Sequence, residues 1–324
     1  MAKTAKKGCL GCSFPLLIGL IIFFLALFVI GFAAGPIGSR VLSLIGIKLP
    51  LPDWISVAKP HPELPAQVVF HIFGFPITNS VVAAWVTIIV VVALFWAITC
   101  RSKLIPGRWQ AMLEGLLGWL YDFCKSVAGE VNGRRFFPIV ATIFIFVAFN
   151  AWLGLLPGYG TILVHTPEGE THLLKPANTD INVPLALALI SFVFVEYFGL
   201  RSRGIRYLGK FFSFGSLLGG LGQLFRGKLK SGLSGIFLGV INAFIGFIEL
   251  LSEFIRIVSF TFRLFGNMTA GEILLLAVTF LVPWVIAPIF YGLELFVGLV
   301  QALIFGGLTL IFLTLAVAHG EEAH

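Results

Sequence analysis

The chain is a succession of long apolar runs joined by short polar segments. Phe14–Ala34 and Ser80–Thr99 each hold about 20 mostly apolar residues, enough to cross a bilayer core of about 30 Å as a helix. Phe136–Leu156 and a run ending at Leu200 repeat the pattern. The run from Gly232 to Val282 would extend about 75 Å as a helix, so it must tilt steeply or break. A further run, Trp284–Val317, follows Pro283. The pattern predicts an all-α polytopic membrane protein with about six apolar spans, the last two long tilted helices forming an antiparallel hairpin. Gly298, Ala302, Gly306 and Gly307 would let one face of the last helix approach a neighbour closely.

The segments between the runs carry their own signals. PGRWQAMLEGLLGWLYDF reads as an amphipathic surface helix opened by Pro106. Residues 35–79 hold Pro50, Pro52, Pro60, Pro62, Pro65 and Pro76 and predict an extracytoplasmic segment of short strands or turns. Residues 1–34 read as an N-terminal membrane anchor or signal, and residues 80–324 as the membrane domain. Between Lys210 and Lys230 a Gly-rich stretch predicts a re-entrant or surface hairpin; it lacks the spacing of a phosphate loop.

Composition excludes an ordinary soluble domain, because 58% of residues are hydrophobic, 11% are charged and the mean hydropathy is +1.02. The formal net charge of +7 does not indicate a nucleic acid partner, since the basic residues gather at the ends of apolar runs. Examples are Lys3, Lys6 and Lys7; Arg101, Lys103 and Arg108; and Arg201, Arg203 and Arg206. That is the positive-inside pattern, and it places the exit of the second span in the cytoplasm. Both termini are then cytoplasmic if the first span is retained. Cys9 and Cys12 have metal or redox spacing, yet no second pair or nearby histidine completes a site. No Ser/His/Asp constellation, dinucleotide glycines or metal cluster supports enzyme chemistry, and no cofactor is expected.

Charge then appears where lipid or packed protein should be. Glu253, Arg256, Arg263 and Glu272 lie inside the long apolar run, where a charged side chain costs at least about 2.5–3.5 kcal/mol. At about 100° per residue, Arg256, Ser259, Arg263, Asn267 and Ala270 fall within roughly 40° of one line, with Glu272 about 180° from Arg263. Arginine keeps its proton in a protein, whereas a carboxylate takes up and releases one. One face suits a fixed cation and the other a relay. Glu294 and Gln301 lie a heptad apart on one face of the last run.

RLFGNMTAGE, Arg263 to Glu272, resembles the signature of subunit a of the F-type ATP synthase, and the resemblance extends from about Leu104 to Leu315. Pro106, Gln110 and Glu114 resemble the family's P-x-x-x-Q-x-x-x-E run, and LVQALIF places Gln301 at the position of the family's glutamine. Glu294 stands where some members carry histidine. FNAWLGLLPG is similar to the asparagine-containing segment, but Ala151 occupies the usual asparagine position and Asn150 stands one residue earlier. Asn150 is therefore either a ligand of the inlet channel or an amide that bonds a neighbouring helix. Asp180 and Asn182, in a segment similar to the family's, suit capping of the next span or a proton-collecting mouth.

The resemblance implies a non-catalytic, proton-translocating stator in the Fo sector of a rotary complex in a cell membrane, by extension a bacterial plasma membrane. Two half-channels would meet the rotating c-subunit ring. Arg263, Glu272, Glu294, Gln301, Asn267, Asn150 and Ser259 would serve translocation. The implied partners are the c ring, the b subunits of the peripheral stalk, the F1 sector indirectly, and the lipid bilayer. A secondary transporter would carry internal repeats or paired interrupted helices, and no second copy of RLFGN occurs. A purely structural scaffold would leave Arg263, Glu272, Glu294 and Gln301 without a purpose.

Overall fold

In a computed structural model the described residues are 14–46, 65–100, 102–156, 158–166, 169–204, 207, 209, 229–282 and 286–318. The Gly-rich hairpin expected between Lys210 and Lys230 lies outside them, apart from the first residues of the helix that begins at Leu229. Helices dominate: α1 Phe14–Ala34, α2 Pro36–Leu44, α3 Asn79–Thr99, α4 Arg108–Gly154, α5 Asn182–Arg203, α6 Leu229–Leu281 and α7 Ala287–Ala318. Five of them are long and apolar enough to cross a membrane, and α1 with α2, bent by 81° at Gly35, would supply a sixth span. The protein is all-α and polytopic.

Among the described residues strands are confined to two hairpins, β1 Val68–Ile72 with β2 Phe75–Thr78, and β3 Leu163–Thr166 with β4 Gly169–His172. The first is the strand-and-turn content expected of residues 35–79; α2 in the same segment was not foreseen. Phe73 and Gly74, at φ 50° and 84°, form its two-residue turn, the backbone hand that matches strand twist. Asn79, the first residue of α3, receives the Gln67 N–H on its side chain and donates to the His172 carbonyl, so the two hairpins are tied at the start of a span.

One element joins what the sequence divides. The surface helix and the third span form a single α4, entered from Gly107 rather than at Pro106 and bent at Gly129, where φ is 78° and ψ 170°. A positive φ favours glycine, which has no Cβ to clash. Lys125 and Glu130 bridge the bend at 2.8 Å; the hydrogen bond and its charges raise the lysine pKa and lower that of the glutamate. Ahead of the bend, the Gln110 amide pairs with both backbone groups of Lys103 and donates to Glu114, closing the α3–α4 connection.

The chain divides into two compact units: Ala66–Gly266 with Gly298–His324, and Met1–Pro65 with Asn267–Val297. The core of the first joins α4, α5 and α7 through Phe136, Val140, Val195, Phe198, Leu310 and Leu313. The small-residue face of α7 packs on α4: a Cβ added at Gly298 would lie 2.8 Å from that of Ala151, and one at Gly306 would sit 3.6 Å from Val140 and Phe144. Absent side chains bring the two backbones together there. Ser191 on α5 and Thr309 on α7 share a buried hydrogen bond of 2.9 Å.

Candidate functional site

In each unit the buried side chains of α6 fall mainly on one line, with Thr261 and Thr269 buried off it. Glu253, Phe260 and Leu264 in the first unit, and Met268, Gly271 and Leu275 in the second, are its inward positions. Within each unit their spacing of three, four or seven residues is that of one helix face. The rest of the helix offers exposed apolar side chains such as Phe247, Phe254, Ile255 and Phe262. Arg263 stands at the edge of that open wall, half-buried, with Ser259 and Asn267 exposed one turn to either side. The expected cationic line therefore follows the border between packed and open surface.

Two contacts hold the guanidinium on its own helix. Arg263 donates to the Ser259 hydroxyl at 3.3 Å and lies 5.8 Å from the Phe260 ring centre. Neither removes its charge. One heptad earlier, Arg256 pairs with Glu253 at 2.7 Å and stacks 3.8 Å from the centre of Phe312 on α7. Of these two arginines, Arg256 is engaged by a carboxylate and a ring, whereas Arg263 borders the open face.

The same contacts set the register of the hairpin. Arg256 meets Phe312, and Phe260 meets Phe305 at 4.9 Å, so rising position on α6 pairs with falling position on α7. A further turn brings Arg263 to the level of Gln301–Phe305. Gln301 is 8% exposed there, an uncharged amide able to donate or accept.

In the second unit the two acids take different stations. Glu294 is 8% exposed, and its carboxylate occupies the space above Gly271, where an added Cβ would collide with it. Glu272, the next residue, is half-buried. Gly271 is a site residue that the sequence reading missed; its place in TAGE, beside the acid, was the only signal.

Asn150 has a third setting. It is 2% exposed, donates to the Thr87 hydroxyl at 3.3 Å and receives the Asn178 N–H at 3.3 Å. Asn178 in turn donates to the Val147 carbonyl. Nearby, Asp180 receives the Ser80 hydroxyl and the backbone N–H of Asn182, which opens α5. Asp180 thus serves the helix start as expected, whereas Asn182 donates to Asp180 instead of capping. Asn178, Thr87 and Ser80 join α3, α4 and the start of α5 into one buried polar column, and none was singled out from sequence. Among the described residues no group of histidine, cysteine and acidic side chains is arranged to hold a metal.

Comparison with known proteins decides what this arrangement belongs to. Residues 81–314 match the sequence model of the family described as ATP synthase A chain. The chain belongs to that family. It is 30% identical over 246 residues to the ATP synthase subunit a of Gloeobacter violaceus, covering 76% of this chain and 86% of the relative. The corresponding proteins of Desulfosudis oleivorans and Legionella pneumophila are 29% and 28% identical, over 81% and 80% of this chain and 99% and 93% of their own lengths. Its role is that of a proton-translocating subunit of the Fo membrane sector. The matched segment begins within α3 and ends within α7, so α1, α2 and the β1–β2 hairpin precede it.

Proposed function

We propose that the chain is the non-catalytic stator that forms two offset aqueous half-channels against a rotating c ring, with Arg263 between them. The observation that carries this reading is the place of Arg263, a permanent cation at the margin of an unpacked apolar helix face. A cation near a carboxylate lowers its pKa. A protonated carboxylate on the c ring that reaches Arg263 would release its proton towards the cytoplasm, while the fixed positive charge opposes direct passage of protons between the half-channels. Gln301, at the same level of α7, offers an uncharged amide to the guanidinium, one that can accept its hydrogen bond without neutralising it. Glu272 and Glu294 relay protons on the inlet side, and Asn150, Asn267 and Ser259 line or orient the path.

Several protons must be summed for each nucleotide made, because 100 mV supplies about 2.3 kcal/mol per charge. Rotation of the c ring performs that summation, and the nucleotide chemistry belongs to the F1 sector. The b subunits of the peripheral stalk would hold the chain still. Residues 80–324 form the membrane domain, preceded by an anchor or signal at 1–34 and an extracytoplasmic segment at 35–79. The bacterial origin of the three relatives favours a bacterial plasma membrane.

Proton pumping by the assembled complex in vesicles, read from quenching of a pH-sensitive dye, tests the reading. With Arg263→Ala the complex should assemble and pumping should disappear. Coupled pumping that survives the substitution would remove Arg263 from the translocation step.

A further inference from the structure

Between α3 and α4 lies a cleft of about 290 Å³, bounded by Ile88, Val92 and Phe95 on one side and Thr142, Ile145 and Phe146 on the other. Its one polar wall group is already committed, because the Thr142 hydroxyl donates to the Pro138 carbonyl at 2.7 Å. The cleft therefore offers a ligand no free hydrogen-bond donor. It is at the lower end of the size of small-molecule sites, and too narrow for a helix of about 10 Å diameter. Nor does its wall carry the small residues with which membrane helices accept a partner helix. Its shape and chemistry suit a single hydrocarbon chain.

The charge at one end says which kind. Thr142 lies seven residues from Arg135 along α4, about 10 Å and close to two full turns, so Arg135 projects from the same face as the cleft. Arg134 adjoins it, and both are exposed. On the other wall α3 runs from Phe95 to Thr99 and leads to Lys103. The basic ends of both walls are thus the same end, the cytoplasmic one by the positive-inside rule.

We propose that the α3–α4 cleft is a binding site for an anionic diacyl phospholipid, one acyl chain lying in the cleft and the headgroup phosphate meeting Arg135, Arg134 and Lys103. Basic pockets between membrane helices on the cytoplasmic side attract acidic headgroups, and each cation near the surface contributes a factor of about five in affinity. The assignment is independent of Arg263 and of the half-channels.

The test is lipid retention by the complete assembled complex in nanodiscs of phosphatidylcholine containing a minor fraction of phosphatidylglycerol, washed and read by mass spectrometry. Wild type should retain phosphatidylglycerol above its bulk fraction. The variant Arg134→Gln/Arg135→Gln should weaken that retention by about twenty-five-fold, a factor of about five for each cation. Val92→Trp, placed on the exposed rim of the cleft, should displace the lipid while leaving both arginines in place. Retention unaffected by either change would overturn the proposal, as would equal retention of phosphatidylcholine or crosslinking of a probe at Val92 to a partner helix in place of lipid. Pumping by the variants in the same nanodisc lipids after reconstitution into vesicles separates loss of the lipid from loss of the fold.

Discussion

At the scale of single residues, the least conspicuous side chain has the most direct consequence. Gly271 leaves the space that the Glu294 carboxylate fills. In Gly271→Ala the methyl group must push the end of a flexible side chain aside, so the fold should survive while the acid moves. Proton flow measured at constant assembly should fall, and an unchanged rate would show that the carboxylate position is immaterial. Asn150 makes the opposite case, a polar group whose partners are all in place. Asn150→Leu removes bonds to Thr87 and Asn178, and inter-helix hydrogen bonds in membranes average about 0.6 kcal/mol with a maximum near 1.7. Unfolding in mixed detergent micelles should show a loss of about 1–3 kcal/mol, and a neutral result would mean that water replaces both partners.

These two residues also mark how far the sequence could be read. Arg263 was legible because charge inside an apolar run is costly wherever the run folds. Gln301 was legible from its resemblance to the family. Gly271 was not legible in the same way, and for Asn150 the sequence offered a bond to a neighbouring helix as one of two readings without naming the partner, because the meeting is with groups 23 residues away for the glycine and 28 and 63 residues away for the asparagine. No local pattern encodes such a meeting. Periodicity reports which face is inward, and it is silent on what that face will meet.

Among elements, the α6–α7 hairpin depends on a charged fastening. Glu253, 3% exposed, is paired with Arg256, and Arg256 is stacked on Phe312. Removing the guanidinium leaves a buried carboxylate that has lost its cation, a change that typically costs about 3–5 kcal/mol, whereas removing both charges is far milder. Arg256→Gln should therefore destabilise the complex strongly in thermal melts, and Glu253→Gln/Arg256→Gln should recover most of the loss. Equal damage in single and double variants would point to the Phe312 contact. The sequence placed Arg256 three residues from Glu253 but left its ring partner open, since only the register of α7 brings Phe312 over it. The bend in α4 was likewise hidden: Gly129 and Gly133 are equally good candidates by residue type, and only Gly129 takes a positive φ.

Across the whole molecule, topology follows from charge. Cys100 is exposed at the end of α3 and Cys124 is buried. In a chain lacking Cys9 and Cys12, a membrane-impermeant maleimide should label Cys100 in inverted vesicles and leave it unlabelled in right-side-out ones. Labelling from the opposite side would reverse every assignment of inlet and outlet. The number of spans was readable from run length alone, because the bilayer sets one ruler for all of them. Helix α6 is the exception to that ruler. Its 53 residues extend about 80 Å, well over twice the thickness of the hydrocarbon core. A helix of that length cannot stand upright inside the hydrocarbon core: either it leans far from the membrane normal or part of its length lies at the aqueous boundary.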